Sequence, residues 1–303
     1  MTIIIATCDR PDRLVFALAC VGRAMDKSGH DHRVIVVDNG QKASARQAIS
    51  ACKCPVDYLQ SEPYNKSAAL NRGIDVSESD WLVFTDDDTL PEPDWLVNAW
   101  KCIGDLGVKF MGARVDADFS AGSVPSWLRP GRSGRVPRGP AIVTYQPSSK
   151  SGALGPADAV PLGSNMFVHR SIFAKCGTFD ESLWRRCGKA ALGCEDAEFG
   201  MRVRSAGEKI GYCHEAVVRH PVYPERVSVS AHLRWAFLNG MRERLLFAET
   251  GLGYRYLAKR TALSVMRCGV SLLRGDTAGA VCDLMNLAQA VGEARTRKRT
   301  NTS

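Results

Sequence analysis

In the first ninety residues short apolar runs alternate with helical spacings, and no other feature of the sequence limits the fold so strongly. The runs are Ile3–Ala6, Val34–Val37, Val56–Leu59 and Trp81–Thr85. Helical stretches over Pro11–Met25, Ala43–Ala51 and Ser67–Ile74 lie between them, the last closing near Gly73, and Pro93-Asp94 opens another. Leu14, Ala17, Leu18 and Val21 mark one helical face, and Pro11 suits a first helical turn. Runs such as Ile3-Ile4-Ile5-Ala6 and Val34-Ile35-Val36-Val37, apolar at every position, suit strands covered on both faces of a parallel sheet built from β-α units. Ligands of such sheets bind at the carboxyl ends of strands. Asp9, Asp38 and Asp86–Asp88 all fall at such ends.

The 303 residues allow two domains, or one large α/β domain with an appendage. A composition of 45% hydrophobic and 24% charged residues excludes a disordered chain, a collagen and a small disulfide scaffold. Residues 118–158 break the alternation. Six of the 14 prolines fall there with Arg129, Arg132, Arg135 and Arg138, as in a linker, lid or binding loop. Regular spacing resumes at Val160–His169, followed by a helix over Ala197–Ser205 and short strands over Ile210–Cys213 and Ala216–Arg219. From Val227 only helical spacing remains. Leu233, Phe237, Met241 and Leu245 form one stripe, and Leu263, Met266, Val270 and Leu273 another. Arg260, Arg267 and Arg274 border the second stripe, where arginines snorkel on an interfacial helix. A core helix with arginines at its rim has the same pattern.

The formal net charge is +8 and unevenly placed: 13 of 40 Lys+Arg but only 6 of 32 Asp+Glu lie from Glu225 onward. A neutral body with a basic tail suits anionic lipid, nucleic acid or a lipid-linked substrate, and equally a solvated helix. The 11 cysteines are scattered, with Cys52-x-Cys54 the closest pair and no second pair at zinc-finger distance. Small buried thiols in a reduced compartment are expected, not a metal or disulfide framework. Thr2–Thr7, followed by Asp9, is too short for a signal sequence and has the character of a strand. No apolar stretch of 18 uncharged residues occurs, so no spanning helix is expected.

Two acidic clusters carry the chemistry. Asp86-Asp87-Asp88 follows an apolar strand, and in an extended turn Asp86 and Asp88 point one way and Asp87 the other. Paired carboxylates at a strand end suit a hard divalent ion, Mn²⁺ or Mg²⁺, bound with substrate phosphates. Taken alone the triplet serves equally well as a cap for the helix that follows. Glu195-Asp196 comes after Gly193 and starts a helical pattern. The helix dipole favours acidic groups there and lowers their pKa, whereas burial or a second carboxylate raises it.

Thr7–Asp9, Val36–Gly40, Asn65–Ile74, Phe84–Thr89, Gly163–Met166 with Phe179-Asp180, and Glu195-Asp196 with Arg202 occur in one order. That order resembles the glycosyltransferase family 2 domain, a GT-A fold, over residues 2–222. The resemblance implies an inverting transferase using a nucleoside-diphosphate sugar and a divalent metal. By the same resemblance Asp38 binds uracil, Thr7 and Asp9 line the nucleoside pocket, and Lys66, Arg72 and Asp87 lie at the donor. Asp86 and Asp88 hold the metal, with His220 as a further contact. Asp196 or Glu195 is the general base. Asn165 and Trp184 face the acceptor. Many members carry two glycines where this chain has Gly163-Ser164, and residues 118–158 carry no family motif.

Rival classes fare less well. An aspartyl-phosphate phosphatase also uses a D-x-D strand end but wants Thr or Val two residues beyond it, where this chain has Leu90. A nucleotidylyltransferase needs a Gly-rich basic loop after the first strand, where this chain has Thr7-Cys8-Asp9-Arg10-Pro11. A nucleic-acid binder acting through the tail lacks an aromatic-basic platform, and no nucleic-acid partner is expected. The expected architecture is a GT-A domain over 1–224 with a mostly parallel central sheet, and a basic helical extension over 225–303. The expected activity is transfer of a sugar from a UDP-sugar to a saccharide or lipid-linked acceptor in polysaccharide assembly. The expected place is the cytoplasm, on an anionic membrane surface at the inner face.

Overall fold

A computed structural model describes residues 1–52, 54–120, 124–130, 132–137, 139, 142–183, 185, 193–247 and 254–297. Among the described residues the contacts define a sheet unit of 1–117, 144–183 and 193–221 and a helical unit of 118–143 and 222–297.

The sheet unit opens with four parallel strands: β1 (Thr2–Thr7), β2 (Arg33–Asp38), β3 (Val56–Gln60) and β4 (Trp81–Asp86). Helices α1 (Pro11–Ser28), α2 (Ala45–Ser50) and α3 (Lys66–Val76) connect them. The pleat explains why β1 and β2 are apolar at every position. Ile3, Ile5, Val34 and Val36 join one core with Leu14 and Leu18, while Ile4, Ala6, Ile35 and Val37 join the other with Leu70 and Ile74. Gly73 does not end α3, as the spacing predicts. The helix runs to Val76, and a Cβ at Gly73 would stand 2.6 Å from the Ile4 side chain, so the glycine permits close packing.

The second half of the sheet is antiparallel. After β5 (Leu90–Pro91) and α4 (Trp95–Leu106) come β6 (Phe110–Asp118), β7 (Gly152–Ala153) and β8 (Met166–His169). Helices α5 (Arg170–Cys176) and α6 (Glu195–Ser205) precede β9 (Ile210–Pro221). The strand order is β3-β2-β1-β4-β8-β6-β9-β5, with β7 also on β9. Parallel pairing is therefore confined to the first four strands, and β4–β8, β6–β8, β7–β9 and β5–β9 run antiparallel. Periodicity does not announce β6, whose later half carries Arg114 and Asp116 among smaller residues. The two short strands expected over 210–219 are one strand, because His214-Glu215 interrupts the apolar pattern but not the backbone pairing.

The helical unit contains α7 (Val229–Phe247), α8 (Tyr254–Leu273) and α9 (Thr277–Arg297). Residues 118–143 group with these helices, and the sheet unit ends at Pro221. Ala236, Val281 and Met285 form a core with Trp127, Leu233 and Trp235 around it. Arg135 forms a two-point ion pair with buried Asp283, at 2.8 and 2.9 Å. Asp276 caps α9 through the Gly279 N–H at 2.8 Å and accepts the Ser133 N–H at 3.1 Å. At Gly240 and Gly292 an added Cβ would meet the carbonyls of Gln289 and Phe237 at 2.0 Å, so α7 and α9 touch backbone to backbone. No described helix is long and apolar enough to cross a membrane.

Candidate active site

β4 delivers Asp86-Asp87-Asp88 into a turn fixed by Thr89, whose hydroxyl donates to the Asp86 carbonyl at 2.8 Å. Asp87 turns inward. It is fully buried, accepts the Thr7 hydroxyl at 2.6 Å and pairs with Arg10 at 2.6 Å. Burial pushes its carboxyl up to about 6 against the pull of Arg10. Asp87 thus ties the end of β4 to β1, and its expected contact with the donor does not fit this placement. Thr7 is spent in the same bond.

Asp86 and Asp88 are placed differently. The Lys66 ammonium lies 2.8 Å from Asp86, and its charge outweighs burial to hold that carboxyl below its ordinary range. Asp88 accepts from Arg10 at 3.1 Å and from Arg13 at 3.4 Å. His220 Nε2 stands 3.7 Å from Asp88 on the other side. The pairing of Leu90 with Arg219 is what carries His220 there.

Lys66 joins the two acidic clusters. It starts α3, which Asn65 caps by accepting the Ala68 N–H at 3.2 Å, and its ammonium also lies 3.0 Å from buried Glu195. Burial lowers its pKa, but Asp86 and Glu195 outweigh that and keep it charged. Asp196, next along α6, accepts the Gly163 and Ala197 N–H groups, each at 2.7 Å. Burial and the neighbouring Glu195 nevertheless push its carboxyl up to about 6. A carboxylate perturbed in this way and set beside a cation-binding cluster has the character of a general base. A Cβ at Gly163 would come within 3.3 Å of Asp196, which accounts for glycine at that position.

Asp86, Asp87, Asp88, Glu195 and Asp196 face only Arg10, Arg13 and Lys66 among these ion pairs, an excess of two negative charges. That excess, and the hard oxygen and imidazole donors of Asp86, Asp88 and His220, fit a divalent cation. The three do not form a gathered cluster of ligand atoms here, since Lys66, Arg10 and Arg13 occupy the carboxylates.

The nucleoside side is built from turns. Asp38 is buried and accepts the Gly40 N–H at 2.9 Å, the Ala45 N–H at 3.3 Å and the Tyr58 hydroxyl at 3.4 Å. Asp9, in the left-handed region at φ 53°, accepts the Lys42 N–H at 3.0 Å and braces the loop after β2. Arg72 is exposed on α3 and has no ion pair to these carboxylates among the described residues. Asn165 is fully buried, accepts Trp95 Nε1 at 2.8 Å and donates to the carbonyls of Arg114 and Ala216 at 2.8 and 2.9 Å. It stitches α4, β6 and β9 together, so the expected acceptor contact is corrected to a structural role. Trp184, the other acceptor-side expectation, lies outside the described residues. Arg10, Arg13 and Gly163 escaped the sequence reading as site residues. Arg10 and Arg13 sit one helical turn apart just past β1, a spacing that pairs them on one side of α1.

A mixed sheet with a D-x-D strand end, a lysine bridge and an acidic helix start defines a glycosyltransferase of the GT-A fold. The family model for Glycosyl transferase family 2 matches residues 2–175, and the chain belongs to that family. It is 28% identical over 228 residues to the succinoglycan biosynthesis protein ExoM of Rhizobium meliloti, covering 74% of this chain and 67% of that one. It is 25% identical over 197 residues to the glycosyltransferase AglE of Haloferax volcanii, covering 64% of this chain and 58% of AglE. The fold is similar to that of the mannosyltransferase PcManGT from Pyrobaculum calidifontis, solved in complex with GDP-Man and Mn²⁺. That likeness has a TM-score of 0.60 at 15% identity and covers 97% of this chain and 86% of that one. S. aureus TarS in complex with UDP-GlcNAc is similar at a TM-score of 0.51 and 11% identity, over 98% of this chain and 91% of that chain.

Proposed function

We propose that the protein transfers a sugar from a nucleoside-diphosphate sugar, a UDP-sugar in the first instance, to a hydroxyl of a saccharide or lipid-linked acceptor, with inversion. The observation that carries this reading is Lys66, which spans Asp86 of the D-x-D segment and Glu195 beside the base. It puts the two acidic clusters within one side chain of each other. Asp196 accepts the acceptor's proton while the freed oxygen attacks the anomeric carbon. The bond from that carbon to the diphosphate breaks in line, and the diphosphate leaves with its charge. Arg10 and Lys66, which now neutralise carboxylates, are the cations within reach of it. Asp86, Asp88 and His220 would hold a Mn²⁺ or Mg²⁺ ion, which supplies charge neutralisation to the leaving diphosphate. Polysaccharide assembly is the setting favoured by the likeness to ExoM.

Calorimetric titration of UDP and of GDP, with and without Mn²⁺, tests the donor reading. Metal-dependent binding of one nucleotide, lost in Asp88→Ala, is the expected result. No binding of either would overturn it.

The exposed face of α8 supports a peripheral membrane location. Met266, Val270 and Leu273 are exposed at i, i+4 and i+7, with Leu273 at 90%. Lys259 and Arg267 are exposed on the same helix, and Arg274 is exposed just past its end. Apolar residues with basic neighbours complement an anionic lipid surface. Arg260 is excluded from this set, because it pairs with Glu293 of α9 at 2.7 Å. Co-sedimentation with anionic liposomes at low salt is expected, and its absence would remove this part of the reading.

A further inference from the structure

Cys213 and Glu215 stand two residues apart on β9 and therefore project to the same face of the strand. Helix α4 packs against that strand and brings Cys102 to them. The two Sγ atoms and a Glu215 carboxylate oxygen all lie within 4.8 Å of one another. No other set of three His, Cys, Asp or Glu side chains among the described residues does so. Both thiols are buried at the edge of the apolar core, and the carboxylate is exposed. Cys213 Sγ is 3.9 Å from Glu215 Oε2 and 3.7 Å from the Asn98 carbonyl. The Ser151 hydroxyl donates to Glu215 Oε2 and accepts the His214 N–H at 2.7 Å, which brings a fourth polar atom to the group.

We propose that Cys102, Cys213 and Glu215 form a binding site for a thiophilic divalent cation of the Zn²⁺ class, with Ser151 or water completing four ligands. Two sulfurs and one carboxylate oxygen are the donor set of a borderline-soft, tetrahedral ion. The hard donors of Asp86 and Asp88 select differently, so the chain carries two cation sites of opposite preference. Glu215 provides the entry from solvent, and the two cysteines fix the ion between helix and strand. The site clips α4 to the strand that carries His220 seven residues further on. Sequence spacing hides it, because Cys102 lies more than a hundred residues before the Cys213-x-Glu215 pair.

The test uses the full chain, purified metal-free under a non-thiol reductant. Co²⁺ titration is expected to give a thiolate-to-cobalt charge-transfer band at one equivalent, displaced by Zn²⁺ and not by Mg²⁺. Cys213→Ser and Cys102→Ser should abolish the band. Glu215→Gln, on an exposed side chain that leaves both thiols in place, should weaken Co²⁺ binding at least about tenfold and leave the metal-free melting temperature unchanged. A Cys52→Ser/Cys54→Ser double variant should keep the band. Zn²⁺ should raise the melting temperature of the wild type and of that double variant. No band in the wild type, a band that survives Cys213→Ser, a band lost with Cys52 and Cys54, or full affinity in Glu215→Gln would each overturn the proposal.

Discussion

The sheet unit and the helical unit use charge in opposite ways. In the sheet unit five carboxylates, at the end of β4 and the start of α6, gather with three cations, and the surplus negative charge fits a bound cation. In the helical unit, which is net basic, one-to-one ion pairs serve as fasteners. Arg135 meets Asp283, 148 residues away, and Arg260 meets Glu293. The lesson is that acidic groups crowded beside a packed core mark the candidate site, and buried one-to-one ion pairs mark assembly.

The largest effect should come from Asp196→Asn. Loss of the base is expected to lower turnover by about 10³-fold, with donor affinity held within a few-fold. Retained turnover would break the comparison by moving the base elsewhere. The same carboxyl gives a pH signature. It titrates at about 6 and works only when ionised, so kcat/KM should fall as pH drops below about 6. Asp88→Ala comes next, with about a 10–100-fold loss of metal-dependent nucleotide affinity. If binding proved indifferent to metal, the surplus negative charge would need another explanation.

Smaller effects address the helical unit. Gly292→Ala forces a methyl group against the Phe237 carbonyl, and overpacking of this kind costs about 1–3 kcal/mol, read as a lower melting temperature. Nucleotide binding by the sheet unit should persist. Asp283→Ala removes the carboxylate from Arg135, which keeps Ser271 and the Gly279 carbonyl as partners. Because Arg135 is about one-third exposed, the expected loss is about 1–2 kcal/mol, less than for a fully buried pair. Smallest of all in stability, Met266→Ser with Leu273→Ser should shift the melting curve by no more than about 0.5 kcal/mol. The same double variant should cut liposome binding several-fold, and an unchanged bound fraction would remove the exposed face of α8 from the membrane reading.

Legibility followed the range of each interaction. The parallel strands, the D-x-D segment and the Glu195-Asp196 helix start are visible because each is a run of adjacent residues with one burial pattern. Asn165 misled for the converse reason. Its motif is local, but its three partners sit on α4, β6 and β9, and they consume the side chain. Strand β6 stayed hidden because only its first half is apolar throughout. Arg10 and Arg13 were visible as residues, but their task depends on β1 lying beside β4.

By itself the sequence determined which strands are buried on both faces and which carboxylates stand at strand ends, since these depend on neighbours a few residues apart. Tertiary structure alone decided which carboxylate of the Asp triplet turns inward, that Lys66 bridges two clusters about 110 residues apart, and that Cys102 meets Cys213 and Glu215. Those outcomes depend on sheet order and register, which bring together groups that no local spacing relates.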